Sequence, residues 1–348
     1  MKRTSFGHLH ALFLAFAVAI SIPLVLGFLN RLHPAFDSLS HFRLHLAALL
    51  ALVALLLLAT RLRLEALFTL ALAAGAFFAT PGTYANMLLE SSAGAANAPA
   101  DTATYRLLHL NARFDNSEPE KFLSLIARIR PDVVTINEVS ALWRERLGAL
   151  SAAYPHRIVC DSLGFVGGVA ILSRRPFAVG SEPECIDGGT LAIARVDFGG
   201  SPVDIAALHL YWPWPFEQPG QVSRISGRLA ELPDAALLAG DFNAARWSET
   251  FREIASAGRM RDAGPVGPSW MPRLFPDAMR RTAGIGLDHV LAGTDIDVIR
   301  LERSDDAGSD HLPVVTEFSV RSHGGGDEAS THIVRTIGPS PASDSVSG

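Results

Sequence analysis

Cysteine is almost absent. Cys160 and Cys185 are the only two in 348 residues, too few for a structural zinc site, which takes about four Cys or His ligands. Two readings stay open for them: unrelated buried thiols, or one disulfide if the chain folds in an oxidising compartment. There a bridge over this loop adds roughly 3 kcal/mol in the chain-entropy account. A basic excess is also missing. The chain carries 30 Lys and Arg against 35 Asp and Glu, and the acidic surplus lies in residues 101–320. That balance argues against a protein that grips long nucleic acid by neutralising its phosphates. It does not exclude a nuclease with a local basic cleft. Three signatures are lacking altogether: a Walker glycine loop, a Gly-x-Ser-x-Gly nucleophile elbow and a His-Glu-x-x-His helix. Their absence removes the usual rival enzyme classes.

What is plentiful is apolar side chain, 49% of the sequence, and it is unevenly spread. Leu9–Leu29 carries no formal charge and is long enough to cross a bilayer. Residues 44–60 form a second such run, and residues 66–82 a third, shorter one. Lys2 and Arg3 before the first run and Arg61 and Arg63 after the second predict a cytoplasmic side for both, although Arg31 and Arg43 weaken the bias. The expected anchor is therefore 1–85 with three spans. In a bacterium this multi-pass inner-membrane topology leaves the rest of the chain in the periplasm. A cleaved signal peptide would have a shorter apolar core and no further spans. If the third run is instead a buried helix, the remainder faces the cytoplasm. Residues 86–104 read as a small, polar linker, and residues 321–348 as a disordered tail rich in Gly, Ser, Thr and Pro.

Between 105 and 320, short apolar runs end repeatedly in polar residues. "YRLLHLN" (105–111) and "DVVTINEVS" (132–140) flank a helical pattern, "EPEKFLSLIARIRP". "HRIVC", "GGVAILSRRP", "LAIARVDFG" and "VDIAALHLY" follow as strands, the last two joined as a hairpin through "GSP". "RISGRLAELP" reads as a helix before "AALLAGDFN", and "GLDHVLAG" and "HLPVVTEFSV" complete an α/β chain. Eight polar residues sit at the strand ends: Asn111, Glu138, His209, Asp241, Asn243, Asp288, Asp310 and His311. Each alone has a plain reading, such as a turn amide, a solvated carboxylate or a core histidine. Together they are the residue types of phosphate and divalent-metal chemistry, placed where open sheets build sites.

The ordered motifs "NEV", "GGVAILSRRP", "LHLYWP", "AGDFNA", "LDHVL" and "GSDHLPV" resemble the endonuclease/exonuclease/phosphatase superfamily over residues 105–320. That superfamily includes deoxyribonucleases, apurinic-site endonucleases, inositol polyphosphate phosphatases and sphingomyelinases. The resemblance implies a four-layered α/β sandwich of two packed sheets flanked by helices. It also implies a metal-dependent phosphoesterase that attacks a phosphodiester of nucleic acid or a lipid head group with water. The alternatives are a phosphomonoesterase or a non-catalytic binding domain on the same fold. Mg²⁺, or Mn²⁺ in its place, suits such a site because it takes oxygen ligands and keeps several waters. Glu138 is the expected ligand, with the Asn111 side-chain carbonyl beside it and, by resemblance, Asp310.

Asp241 is expected to orient or deprotonate water, and Asn243 to donate to a phosphate oxygen. In an extended chain these two would project the same way. Asp288 would fix the tautomer of His311 and raise its pKa; either Asp241 or His311 could be the base. His209 would bind phosphate or protonate the leaving group. Arg113 would clamp phosphate. The aromatic run "YWPWPF" (211–216) could stack a base, touch a sugar, enter lipid or simply pack a proline-rich loop. The expected partners are a phosphate-ester substrate and, through the N-terminal helices, the bilayer. No protein partner is indicated.

Overall fold

Alternation along the strands sorts this chain into layers. In the computed structural model, which describes residues 2–80, 103–162, 164 and 166–321, twelve strands make two six-stranded mixed sheets. The first holds β1 (Tyr105–Asn111), β2 (Val133–Val139), β3 (His156–Val159), β4 (Gly168–Ser173), β11 (Ile296–Arg303) and β12 (Val314–Val320), in the order β11-β12-β1-β2-β4-β3. The second holds β5 (Glu184–Ile186), β6 (Leu191–Asp197), β7 (Pro202–His209), β8 (Ala236–Asp241), β9 (Arg261–Asp262) and β10 (Asp288–Ala292), in the order β5-β6-β7-β8-β10-β9.

Successive side chains point to opposite faces of a strand. Leu107, Val133, Ile171, Ile205, Leu237 and Val290 therefore meet in a core between the sheets. Leu108, Val134 and Ile136 turn outward onto Phe122, Leu125, Ile126 and Trp143. Leu208 and Leu238 turn outward onto Val222, Ile225, Phe251 and Ile254. The result is the expected four-layered sandwich. The outer helices are α5 (Pro119–Ile129) and α6 (Ala141–Leu147) on one side and α7 (Gln218–Leu229) and α8 (Glu249–Ala257) on the other. The helix begun by "RISGRLAELP" starts earlier than that motif, with a proline in its first turn. Helix α5 shows how the sequence sets an element's ends. A proline occupies its first turn, Phe122, Leu125 and Ile126 line its buried face, and Arg130 ends it at φ +51°, donating its N–H to the Ile126 carbonyl. Pro131 then prevents continuation.

The N-terminal region is helical: α1 (Lys2–Gly27), α2 (Pro34–Ser40), α3 (Arg43–Leu58) and α4 (Arg63–Ala79). The expected count of three spans at 9–29, 44–60 and 66–82 is corrected here. Among the described residues one helix, α1, is long and apolar enough to cross a membrane, and a second qualifies only if α2 and α3, bent by 62°, are taken as one broken span. At about 1.5 Å rise per residue, the 16 residues of α3 and 17 of α4 fall short of the roughly 30 Å hydrocarbon core. The expected linker (86–104) and tail (321–348) lie almost wholly outside the described residues.

The N-terminal helices pack on one another through Leu24, Leu50, Leu57 and Ala73. Phe16, Leu52, Leu55, Leu67, Phe68 and Phe78 stay exposed on their outer surface. They also pack on the sandwich. Asp37, buried on α2, accepts the backbone N–H of Glu249 at 2.7 Å, the N–H of Thr250 at 3.0 Å and the Thr250 hydroxyl at 3.0 Å. Its carboxylate thus sits on the N-terminus of α8, where unpaired N–H groups and the helix dipole favour a negative charge. Trp247 Nε1 donates to the Ser40 carbonyl at 2.6 Å. Cys160 and Cys185 form a disulfide with Cα atoms 5.5 Å apart. It joins the β3 side of one sheet to β5 of the other, which decides between the two readings of the cysteines.

Candidate active site

At one end of the sandwich the inward positions change from apolar to polar. Leu107 on β1 gives way to His109 and Asn111, and Val133 on β2 to Thr135 and Asn137. Ala207 on β7 gives way to His209, and Ala239 on β8 to Asp241; β10 begins at Asp288, before Val290. Strand register draws these residues together. Asn111 lies opposite Asn137, and Asp241 lies opposite both His209 and Asp288. A polar cluster thus closes the inter-sheet core.

Glu138 reaches this cluster by breaking the alternation. Regular pleating would turn it to the helix side with Ile136. The pairing of β2 with β4 instead shifts between Ile136 and Val139, and Glu138 adopts φ +60°. Bulges of this kind re-aim a side chain, and positive φ in a non-glycine residue stores strain. Glu138 Oε1 accepts from Asn111 Nδ2 at 2.9 Å, and Oε2 accepts from the Phe114 N–H at 2.9 Å.

Asp241 is where the site converges. Its Oδ2 accepts from Asn111 Nδ2 at 3.0 Å and lies 3.5 Å from His311 Nε2 and 3.8 Å from His209 Nε2. His209 Nε2 is 4.0 Å from Glu138 Oε1. His311 Nδ1 donates to Asp288 Oδ2 at 2.8 Å. The other oxygen of Asp288 meets His109 Nε2 at 3.2 Å, and His109 Nδ1 is 3.1 Å from the Thr135 hydroxyl. Two histidines therefore share one fully buried carboxylate. Ser309 shapes the "SDH" loop: its hydroxyl donates to the Asn111 carbonyl at 2.7 Å and accepts the His311 N–H at 3.1 Å. Asp310 Oδ2 accepts from Trp270 Nε1 at 3.2 Å. Arg280, buried on the short helix α9 (Asp277–Ala283), donates to the carbonyls of Ser309 and His311 at 2.8 and 3.3 Å.

Burial and charge set the protonation states. Burial raises the Asp241 carboxyl above its ordinary value, although His311 opposes the shift. Burial likewise raises Glu138 against the hydrogen bonds from Asn111 and Phe114. Burial would raise Asp288 too, but His311 and His109 outweigh it and hold that carboxyl well below the usual range. For His311, burial lowers the imidazole, and Asp288 and Asp241 overcome it to raise the pKa to about 10. His209 is lowered by burial in spite of Asp241 and stays neutral near pH 7.

Two expectations about individual side chains change. Asn111 turns its amide nitrogen, not its carbonyl, to the two carboxylates, while its Oδ1 accepts the Arg113 N–H at 3.0 Å. Asn243 is not extended beyond Asp241. It has φ +45°, because Asp241 Oδ1 accepts its N–H at 2.8 Å in an Asx turn, and its Nδ2 donates to the Leu210 carbonyl at 2.8 Å. Arg113 pairs through Nε and Nη2 with Asp115 at 2.7 and 3.0 Å, and its buried Nη1 has no hydrogen-bond partner among the described residues. The sequence reading passed over His109, Asn137, whose Oδ1 accepts the Asp241 N–H at 2.9 Å, and Arg280. Period-two spacing back from Asn111 points to His109, and Asn137 stands beside Glu138 in "NEV"; nothing local signals Arg280.

The model of the Endonuclease/Exonuclease/phosphatase family matches residues 108–311, more than half of the chain. The chain belongs to this family. Its members are phosphoesterases. No curated protein matches it significantly. Solved structures with a similar fold include humanized TDP2 of D. rerio, at 18% identity over 62% of this chain and 99% of that one, with a TM-score of 0.49. Sphingomyelinase C from Streptomyces griseocarneus matches at 16% identity over 62% and 99%, TM-score 0.48. The human nocturnin catalytic domain matches at 18% identity over 62% and 94%, TM-score 0.48.

Family members are commonly dependent on a divalent metal. Among the described residues no group of three or more His, Cys, Asp or Glu could cage an ion. What the endonuclease/exonuclease/phosphatase site offers is oxygen. Glu138 uses two of about four lone-pair positions on its carboxylate, and Asp310 is near enough to raise its pKa. One or two carboxylates with water completing the shell is the usual protein contribution to Mg²⁺. The residues fit such an ion, and a cation would hold the buried Glu138 ionised.

Proposed function

We propose that this protein is a divalent-cation-dependent hydrolase of phosphate esters, acting on a phosphodiester by in-line attack of water. The observation that supports it most is the convergence on Asp241 Oδ2 of Asn111, His311 and His209, with His311 held by Asp288. In this reading Glu138 and Asp310 hold Mg²⁺ or Mn²⁺, which supplies charge to a phosphoryl oxygen and the leaving group when bound. The chain's own groups do the rest. Asp241, raised by burial, orients the water and takes its proton, while Asn111 fixes the carboxylate's direction. His311, charged at neutral pH, faces the developing negative charge on the phosphoryl group. His209, neutral at rest, takes up the proton that Asp241 removes from water and, as imidazolium, gives it to the leaving oxygen. Asn243 retains a second amide hydrogen for a phosphate oxygen. Arg113, paired with Asp115, keeps its Nη1 for a phosphate oxygen.

We further propose that the apolar N-terminal helices anchor the protein in the inner membrane of a bacterium and that the sandwich faces the periplasm. The exposed apolar side chains on α1, α3 and α4 support the first statement. The Cys160–Cys185 disulfide supports the second, because such bonds persist in oxidising compartments.

The full chain in detergent is expected to hydrolyse bis-p-nitrophenyl phosphate with Mg²⁺ or Mn²⁺, to lose this activity in EDTA and to regain it on adding the metal. Asp241→Asn and His311→Gln should each lower kcat by about 100-fold or more, the range for acid–base and electrostatic groups. Wild-type rates in either variant would refute the assignment.

A further inference from the structure

The site does not end at the polar cluster. An apolar groove of about 660 Å³ runs from Asn243 and Trp270 to Phe42 and His45 at the start of α3. We propose that this groove holds the hydrocarbon chain of the substrate, so that the phosphate ester hydrolysed here is an amphiphile drawn from the membrane. The proposal rests on the hydrolase reading above and adds the substrate class.

Continuity with the reacting groups is the first support. Trp270 forms part of the wall, donates through Nε1 to Asp310 Oδ2 at 3.2 Å, and has its ring 6.4 Å from that of His311. A chain lying along this wall delivers its phosphate to Asp241, Asn243 and His311. The far end is the second support. The groove is closed there by the N-terminal helices, which no part of the sandwich requires for its own core. Ser38 Oγ donates to the Trp214 carbonyl at 2.9 Å, and His45 Nε2 lies 2.8 Å from the Ala283 carbonyl. That end is therefore walled by the junction of α2 and α3, where Phe42 and, further along α3, Leu49 and Leu52 are exposed apolar side chains.

Chemistry of the walls is the third support. Trp212, Trp214, Phe275 and Met279 are between 42 and 55% exposed, an extent of bare apolar surface that a soluble substrate would leave wet. None of the described residues lining the groove is Lys, Arg, Asp or Glu. A nucleic-acid strand stacked on these rings would need cations tracking its phosphates, and the groove provides none. Its volume falls within the roughly 300–1,000 Å³ usual for small-molecule sites.

A chain-length series separates this proposal from the reading beneath it. The full chain in detergent, at one fixed micelle concentration, is assayed on p-nitrophenyl phosphodiesters whose second ester is methyl, octyl or dodecyl. A single-stranded oligonucleotide is assayed in parallel. The expected kcat/KM rises at least about tenfold from methyl to dodecyl, as burial of several methylenes allows. Phe275→Arg and Met279→Arg, at half-exposed positions where a charge leaves the core intact, should erase that gain. Both should leave the methyl ester and bis-p-nitrophenyl phosphate within twofold of wild type. Equal rates along the series overturn the groove, as does an oligonucleotide cleaved in preference to the dodecyl ester. Inactivity on every ester sinks the hydrolase reading instead. The groove is then judged by tryptophan fluorescence on titration with dodecyl phosphate: binding weakened by Phe275→Arg supports it, and binding equal in both proteins overturns it.

Discussion

Asp288 is fully buried and, among the described residues, pairs with no Lys or Arg, yet it is held ionised. Two imidazoles do this work, His311 at 2.8 Å and His109 at 3.2 Å. The consequence for stability has a definite sign. His311, raised from 6.5 to about 10, contributes fully below pH 6.5 and loses its contribution as pH rises toward 10. Asp288, held below its ordinary 3.8, contributes above that value and loses its contribution in stronger acid. Asp288→Asn leaves a buried imidazole without its charge partner, and breaking such a pair costs about 3–5 kcal/mol. Calorimetry in EDTA should therefore show the gap between wild type and Asp288→Asn widest near pH 5–6 and narrowing from pH 7 to 10. A gap constant over that range would show that the variant fails for reasons of packing alone. The Asp288–His311 pairing was legible in the sequence because both lie in short motifs at strand ends. His109 was not, because it sits in mid-strand where a histidine ordinarily reads as core. Only the fold shows that the inward face of β1 has already turned polar there.

At the scale of elements, the bulge in β2 sets strain and burial against function. Glu138 is held at φ +60° and pushed up by burial, two features that cost the folded state. Neither helps the sandwich stand, so the reason for them lies in what the carboxylate binds. Glu138→Gln removes the buried charge but keeps one acceptor for two donors, the Asn111 amide and the Phe114 N–H. In EDTA the relieved charge and the lost hydrogen bond oppose each other, and this variant should melt within a few degrees of wild type. On adding Mg²⁺ the wild type alone should gain stability, by about 2.7 kcal/mol at 100 times the dissociation constant. A Glu138→Gln protein that is stabilised by Mg²⁺ as much as wild type would remove Glu138 from the cation site. The motif "NEV" pointed to this residue, but the sequence could not show how it reaches the cluster. Plain alternation sends Glu138 to the helix side, and a register shift depends on the neighbouring strand. The Asp241 and Asn243 pair misled in the same way: period two held as far as Asp241, and the Asx turn took over beyond it.

Over the whole molecule, two ties determine what moves with what. The N-terminal helices are fixed to the sandwich through Asp37 on the end of α8, and the disulfide clips one outer strand of each sheet to the other. The sequence displayed the apolar runs but not their ends. Pro34 opens α2 and Arg43 turns back to donate to the Gly27 carbonyl, so the second run cannot continue the first as a straight helix. The disulfide stayed open in the sequence because pairing needs two Cα atoms brought within reach by different sheets. It now bears on the compartment. If the sandwich is periplasmic, alkaline phosphatase joined after residue 321 should be active in cells. Cys160 and Cys185 should then resist alkylation in freshly lysed cells until a reductant is added. Replacing both by serine should cost about 3 kcal/mol, the chain-entropy value for a loop of this size, read as a lower midpoint in urea with a steeper slope, because the denatured chain without its cross-link exposes more surface. Free thiols in fresh lysate together with an inactive fusion would place the sandwich in the cytoplasm. The first apolar helix would then have to be accounted for without a periplasmic domain behind it.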